Sequence, residues 1–164
     1  VETCAALKNV YALGISLATG LLEAAGGPDE AGARKHNLAA ALFAQASLEI
    51  ECLVRVMGGQ SRLVYNLPGV GDMYVTCQGG RTVHIGTLLG SGLSLAQALD
   101  RLAGVTLESV EAIRILGRAL VPLESAGRIG PEELPFLRHL CEIVVEGQPV
   151  DLPLERFFSL LKGT

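Results

Sequence analysis

"VETCAALKNVYALGISLATGLLEAAGG", residues 1–27, decides the fold. Up to residue 25 it reads as one helix that is apolar nearly all round, and such a helix belongs inside a bundle rather than on its surface. The most weakly polar part, 10–22, is interrupted by Ser16, Thr19 and two glycines, so it reads as a buried helix and not a membrane span. No basic-then-apolar signal segment opens the chain. The first nine residues already look like helix interior, which leads us to expect a fragment of something longer.

Outward from this helix, "GGPDEAG" breaks the chain, and Pro28 with the acids Asp29 and Glu30 suits the start of a second helix. That helix should run to about Met57, where the glycines at 58 and 59 end it. Short helices fit 61–67, 70–77 and 81–89. Ser94 caps "LAQALDRLAG", and Glu108 begins "ESVEAIRILGRALVPLESAG". Gly130-Pro131 opens "PEELPFLRHLCEIVVEG", and 152–161 closes the chain with another amphipathic segment. Alternating β-branched runs bounded by hairpin turns are absent. The expected class is all-α, a single helical-bundle domain over 1–164.

Composition agrees. In 164 residues, 49% hydrophobic and 18% charged, disorder is excluded and one core is affordable. Aromatics are 4% with no Trp, so Leu, Val, Ile and Ala must build that core. The net charge of −4 and the lack of Lys/Arg clusters argue against nucleic acid as a partner. An anionic ligand must therefore be held by a few placed cations. Cys4, Cys52, Cys77 and Cys141 show no C-x-x-C spacing and form no metal signature with His36, His84 and His139. Each cysteine lies in an apolar run, which reads as a buried reduced thiol and points to the cytoplasm.

Three features could carry chemistry. Lys8 has apolar helical neighbours in Cys4, Ala5, Ala12 and Ile15, so its ammonium is either paired in a pocket or snorkels to water. Asn9, adjacent and polar, favours the pocket. Asp72 sits in "GVGDMYVT", where glycines allow close approach to a ligand or Asp72 simply caps a helix. Thr76, one turn on, shares its face. Last comes "GGRT" at 79–82. Two glycines before a helix start leave N–H groups open at a positive helix end, and Arg81 adds a bidentate fork. An ordinary glycine turn with a solvated arginine is the plainer alternative. Neither G-x-G-x-x-G nor G-x-x-x-x-G-K occurs, so this chain has no nucleotide-phosphate fingerprint of its own.

Taken in order, "ALKNVYALG", "LPGVGDMYVTCQGGR" and "EGQPV" resemble the C-terminal domain of NAD-dependent glycerol-3-phosphate dehydrogenase. The resemblance spans nearly the whole chain and is densest at 7–14 and 68–81. It implies a helical domain similar to those of 6-phosphogluconate dehydrogenase, preceded in the full-length protein by a Rossmann domain that is missing here. It also implies hydride exchange between NAD(P)H and dihydroxyacetone phosphate. Lys8 then matches the catalytic lysine, oriented by Asp72, and Asn9 and Thr76 match residues around the substrate's carbonyl and hydroxyls. Gly80, Arg81 and Thr82 match the phosphate clamp, while Arg81, Thr106 and Glu108 face the cofactor. Two positions depart from the pattern: Thr82 stands where an asparagine is usual, and Ser109 where glycine is common. The resemblance further implies a small phosphorylated substrate, a homodimer and inactivity of the isolated chain. A non-catalytic dimerisation or anion-binding module derived from such a domain is the competing reading. A related dehydrogenase for another hydroxy compound is a third.

Overall fold

A computed structural model describes residues 2–27, 33–102 and 108–158. Among these every regular element is a helix or helical turn, and there is no strand. The helices are α1 (Glu2–Ala24), α2 (Ala33–Val56), α3 (Asp72–Thr76), α4 (Arg81–Gly90), α5 (Leu95–Arg101), α6 (Glu108–Ser125), α7 (Pro135–Val144) and α8 (Leu154–Phe157).

α1 is the axis of the bundle. By length and apolarity it could cross a membrane, yet its sides are covered by α2, α3, α4, α6 and α7. Val10, Tyr11, Leu13 and Leu17 are wholly buried, as an all-round apolar helix requires.

The tightest packing joins α1 to α4, and glycine makes it possible. A Cβ at Gly86 would lie 2.2 Å from the Leu13 carbonyl oxygen, and one at Gly90 would lie 2.2 Å from that of Leu17. On the other side, a Cβ at Gly20 would lie 2.0 Å from the Thr87 carbonyl oxygen. These contacts climb both helices in the same sense, so α1 and α4 run parallel. The start of α4 is thereby set level with the early turns of α1, which carry Lys8 and Asn9.

The segment between α2 and α3 is less regular than expected. Instead of a helix over 61–67 there is one 3₁₀ turn, Ser61–Leu63, and then a π-helical turn, Leu67–Gly71. The helix expected over 70–77 starts at Asp72. Gly69 is the reason for the irregularity. The Val70 N–H donates to the Val64 carbonyl at 2.7 Å, and a Cβ on Gly69 would lie 2.0 Å from that same oxygen.

Downstream, α5 has the expected cap. The Ser94 hydroxyl accepts from the Gln97 N–H while the Gln97 side chain accepts from the Ser94 N–H. α7, expected from Gly130-Pro131, begins only at Pro135. The Glu133 carboxylate folds back to accept from the Gly130 N–H at 2.6 Å, and Leu134 takes a left-handed φ of 62°. The N-terminus of α7 is instead capped from afar. Glu49 of α2, 2% exposed, accepts from the N–H groups of Phe136 at 2.7 Å and Leu137 at 2.9 Å. It also accepts from Gln45 Nε2 and from the Tyr11 hydroxyl, each at 2.9 Å. Burial raises the Glu49 carboxyl above its ordinary range, against the downward pull of those donors.

All four cysteines are free, but only Cys4 is buried; Cys52, Cys77 and Cys141 are half-buried. The expectation of four buried thiols is corrected here. Cys77 lies just past the end of α3, and Cys52 lies beside the charged Arg55 and Glu133.

Candidate active site

Lys8 and Asp72 meet. Lys8 Nζ lies 2.5 Å from Asp72 Oδ2, with the two side chains 20% and 40% exposed. Pairing, not snorkelling, is therefore how the ammonium is accommodated on an apolar face. Asp72 opens α3, but its side chain does not cap that helix; it turns to Lys8. The π-helical turn sets this up, since it delivers Asp72 against α1 from a backbone anchored on Val64. Thr76, one turn later, donates its hydroxyl to the Asp72 carbonyl at 2.8 Å.

Beside this pair opens a cleft of about 330 Å³, lined by Asn9, Thr76, Gly79, Gly80, Arg81, Thr82 and Glu108. Lys8 and Asp72 are not among the residues that line this cleft; Asn9 follows Lys8 directly and Thr76 lies one turn beyond Asp72, so the ion pair adjoins the cleft through these two neighbours. Residues from α1, α3, α4 and α6 converge there although up to a hundred positions separate them in sequence. The parallel seating of α4 on α1 is what brings the "GGRT" segment to Asn9.

The electrostatics of the cleft favour an anion at the α4 end. Gly80 is the N-cap of α4 at φ 97°, a conformation that suits glycine, and no side chain caps the helix. The first N–H groups of a ten-residue helix therefore point outward without an internal partner. Among the described residues, Arg81 has no carboxylate partner, and it is exposed. Glu108, the first residue of α6, places a carboxylate on the same cleft. Cys77 lines a separate cavity with Ile15, Phe43 and Tyr74, and burial pushes its thiol up to about 11.

Six of the expected cleft residues thus share one opening: Asn9, Thr76, Gly80, Arg81, Thr82 and Glu108. Thr106 lies outside the described residues. Gly79 lines the cleft as well, a position that only the double glycine could have signalled. Ser109 is 1% exposed, and its hydroxyl has no hydrogen-bond partner among the described residues. The "EGQPV" segment lies elsewhere: 147–150 line a separate cavity of about 450 Å³ with Leu21, Leu89 and Ile143.

Residues 1–155 match the family model described as the NAD-dependent glycerol-3-phosphate dehydrogenase C-terminus. The chain is 32% identical over 164 residues to the glycerol-3-phosphate dehydrogenase (NAD(P)+) of Bacillus velezensis, covering 99% of the chain and 42% of that protein. It is 38% identical over 120 residues to the enzyme of the same name from Syntrophomonas wolfei, covering 72% of the chain and 32% of that protein. The chain therefore spans about two fifths or less of these relatives. Its fold is similar to part of the crystal structure of glycerol-3-phosphate dehydrogenase from Coxiella burnetii, with a TM-score of 0.71 at 24% identity, covering 98% of this chain and 43% of that one.

Proposed function

This chain belongs to the family of NAD-dependent glycerol-3-phosphate dehydrogenase C-terminal domains, and we propose that it forms the substrate-binding and catalytic half of such an enzyme. The reaction is the interconversion of dihydroxyacetone phosphate and sn-glycerol 3-phosphate. The observation that carries this reading is the Lys8–Asp72 pair at 2.5 Å beside a cleft that ends in an uncapped helix N-terminus and Arg81.

The substrate phosphate sits at the α4 end, held by the Gly80–Thr82 backbone and the Arg81 fork. Asn9 and Thr76 face the carbonyl and hydroxyl groups. Lys8 stabilises the negative charge that grows on the carbonyl oxygen and gives its proton to it; in the reverse direction the neutral amine takes the hydroxyl proton. Asp72 holds Lys8 Nζ in place throughout. When bound, the nicotinamide supplies or accepts the hydride. Its binding falls to a dinucleotide-binding domain outside this chain, with Arg81 and Glu108 facing it from this side. The fit is of one kind only: open N–H groups and an unpaired guanidinium suit a phosphate, while the sequence lacks the glycine fingerprint for a dinucleotide.

The test is a panel of phosphorylated and carboxylated hydroxy compounds and their ketones, assayed with NAD(P)(H) on the full-length protein. Dihydroxyacetone phosphate is expected to be turned over best, and the 164-residue chain alone should show no turnover. Preference for an unphosphorylated substrate would overturn the assignment.

A further inference from the structure

Among the described residues the Glu49 carboxylate is the most highly bonded side chain in the core, and the mechanism above makes no use of it. It accepts four hydrogen bonds, one from α1, one from its own helix and two from the N-terminus of α7. The bond from α1 comes from Tyr11, which is wholly buried and one turn beyond Lys8. We infer that Tyr11 and Glu49 are positioning residues that set the rotation of α1 and so hold the Lys8 ammonium on Asp72. The inference rests on the reading of Lys8 as the acid–base group.

The argument is geometric. The glycine seam with α4 fixes α1 from Leu13 to Gly20, beyond the turn that carries Lys8. Within the turn from Lys8 to Tyr11, two side chains are tied to other helices: Lys8 to Asp72 of α3, part-exposed, and the Tyr11 hydroxyl to Glu49 of α2, at 2.9 Å and with no solvent to compete. Rotating a helix by about 10° moves a side-chain atom about 5–6 Å from its axis by roughly 1 Å. A displacement of that size opens the pair of 2.5 Å, and a misplacement of ~1 Å can cost an enzyme about 10²-fold in rate. Glu49 is itself locked by α7, so the α7 N-terminus, α2 and α1 share one fixed point.

The test is NMR of the 164-residue chain labelled with ¹⁵N-lysine. The sequence has three lysines, Lys8, Lys35 and Lys162, so Lys8→Arg assigns the signal. Wild type should show one ammonium signal with slow proton exchange that disappears in Asp72→Asn. Tyr11→Phe keeps the ring and removes the hydroxyl; it should speed that exchange about tenfold, the factor that a hydrogen bond of ordinary net strength supports. Leu17→Ala, which weakens the same helix without touching the bond, should leave the signal unchanged. Should Tyr11→Phe not fold, Glu49→Gln alters the same contact and should give the same faster exchange. Exchange at the wild-type rate in the Tyr11 or Glu49 variant overturns the inference, and so does equal loss of the signal in Leu17→Ala. Absence of any Asp72-dependent signal in wild type removes the Lys8 assignment itself, and this inference with it.

Discussion

Thr82 is half-buried on the first turn of α4 and lines the cleft beside Arg81, at a position where the family resemblance implies an asparagine. A hydroxyl has one donor where an amide has two, and a hydrogen bond to a charged group is worth about 1.5–3 kcal/mol. Thr82→Asn in the full-length protein should therefore lower KM for dihydroxyacetone phosphate with little change in kcat. A raised KM would mean that Thr82 is fitted to a different ligand. The thiols give a second residue-scale expectation. Burial holds Cys77 and Cys141 at about 11, so alkylation by iodoacetamide near pH 7.5 should run roughly 10²-fold slower than that of free cysteine. Labelling at the free-thiol rate would show that both sit in open surroundings. At this scale the sequence was informative where a residue contradicted its neighbours. Lys8 on an apolar face and Asp72 among glycines both announced themselves, but a separation of 64 positions hid that they are partners.

Among the elements, the seam between α1 and α4 carries the most structural consequence. Gly86 and Gly90 face backbone carbonyls, so an added methyl cannot be relieved by rotating a side chain. Gly86→Ala should lower the unfolding free energy by about 1–3 kcal/mol, as overpacking does. It should also weaken phosphate binding, because it lifts the start of α4 away from Asn9. Thermal unfolding and phosphate titration check the two effects; an unchanged Tm would mean that α4 packs elsewhere. The Ser94 cap of α5 was legible because its partners lie three residues apart. The start of α7 was not, because its cap is supplied by Glu49, 87 positions away in α2. The 3₁₀ and π turns before α3 were hidden for a similar reason. Gly69 signals a close approach, but not that the approaching group is the Val64 carbonyl.

For the molecule as a whole, apolarity all round the first helix was enough to place it at the centre of a helical bundle. The convergence of four helices on one cleft needed the structure, because it depends on the parallel seating of α4. At the contact of α8 with α7, stability depends on acid. Burial alone would raise the Glu142 carboxyl, but the hydrogen bond with His139 Nδ1 and the bond and charge of Arg156 overcome this and lower it. A carboxyl lowered on folding stabilises the native state above its ordinary value near 4.5, and that contribution is lost as the pH falls. Urea unfolding of Glu142→Gln should therefore show a shallower loss of stability below about pH 4.5 than wild type, and parallel curves would contradict the pairing. The central claim is that proton chemistry at Lys8 and phosphate binding at Arg81 are separate duties of one cleft. The steady-state kinetics of Lys8→Ala and Arg81→Ala in the full-length protein test it most directly. Lys8→Ala should lower kcat by about 10²–10⁴-fold, while Arg81→Ala should act mainly through a raised KM for dihydroxyacetone phosphate. Turnover that survives Lys8→Ala, or an Arg81→Ala enzyme with unchanged KM, would contradict it.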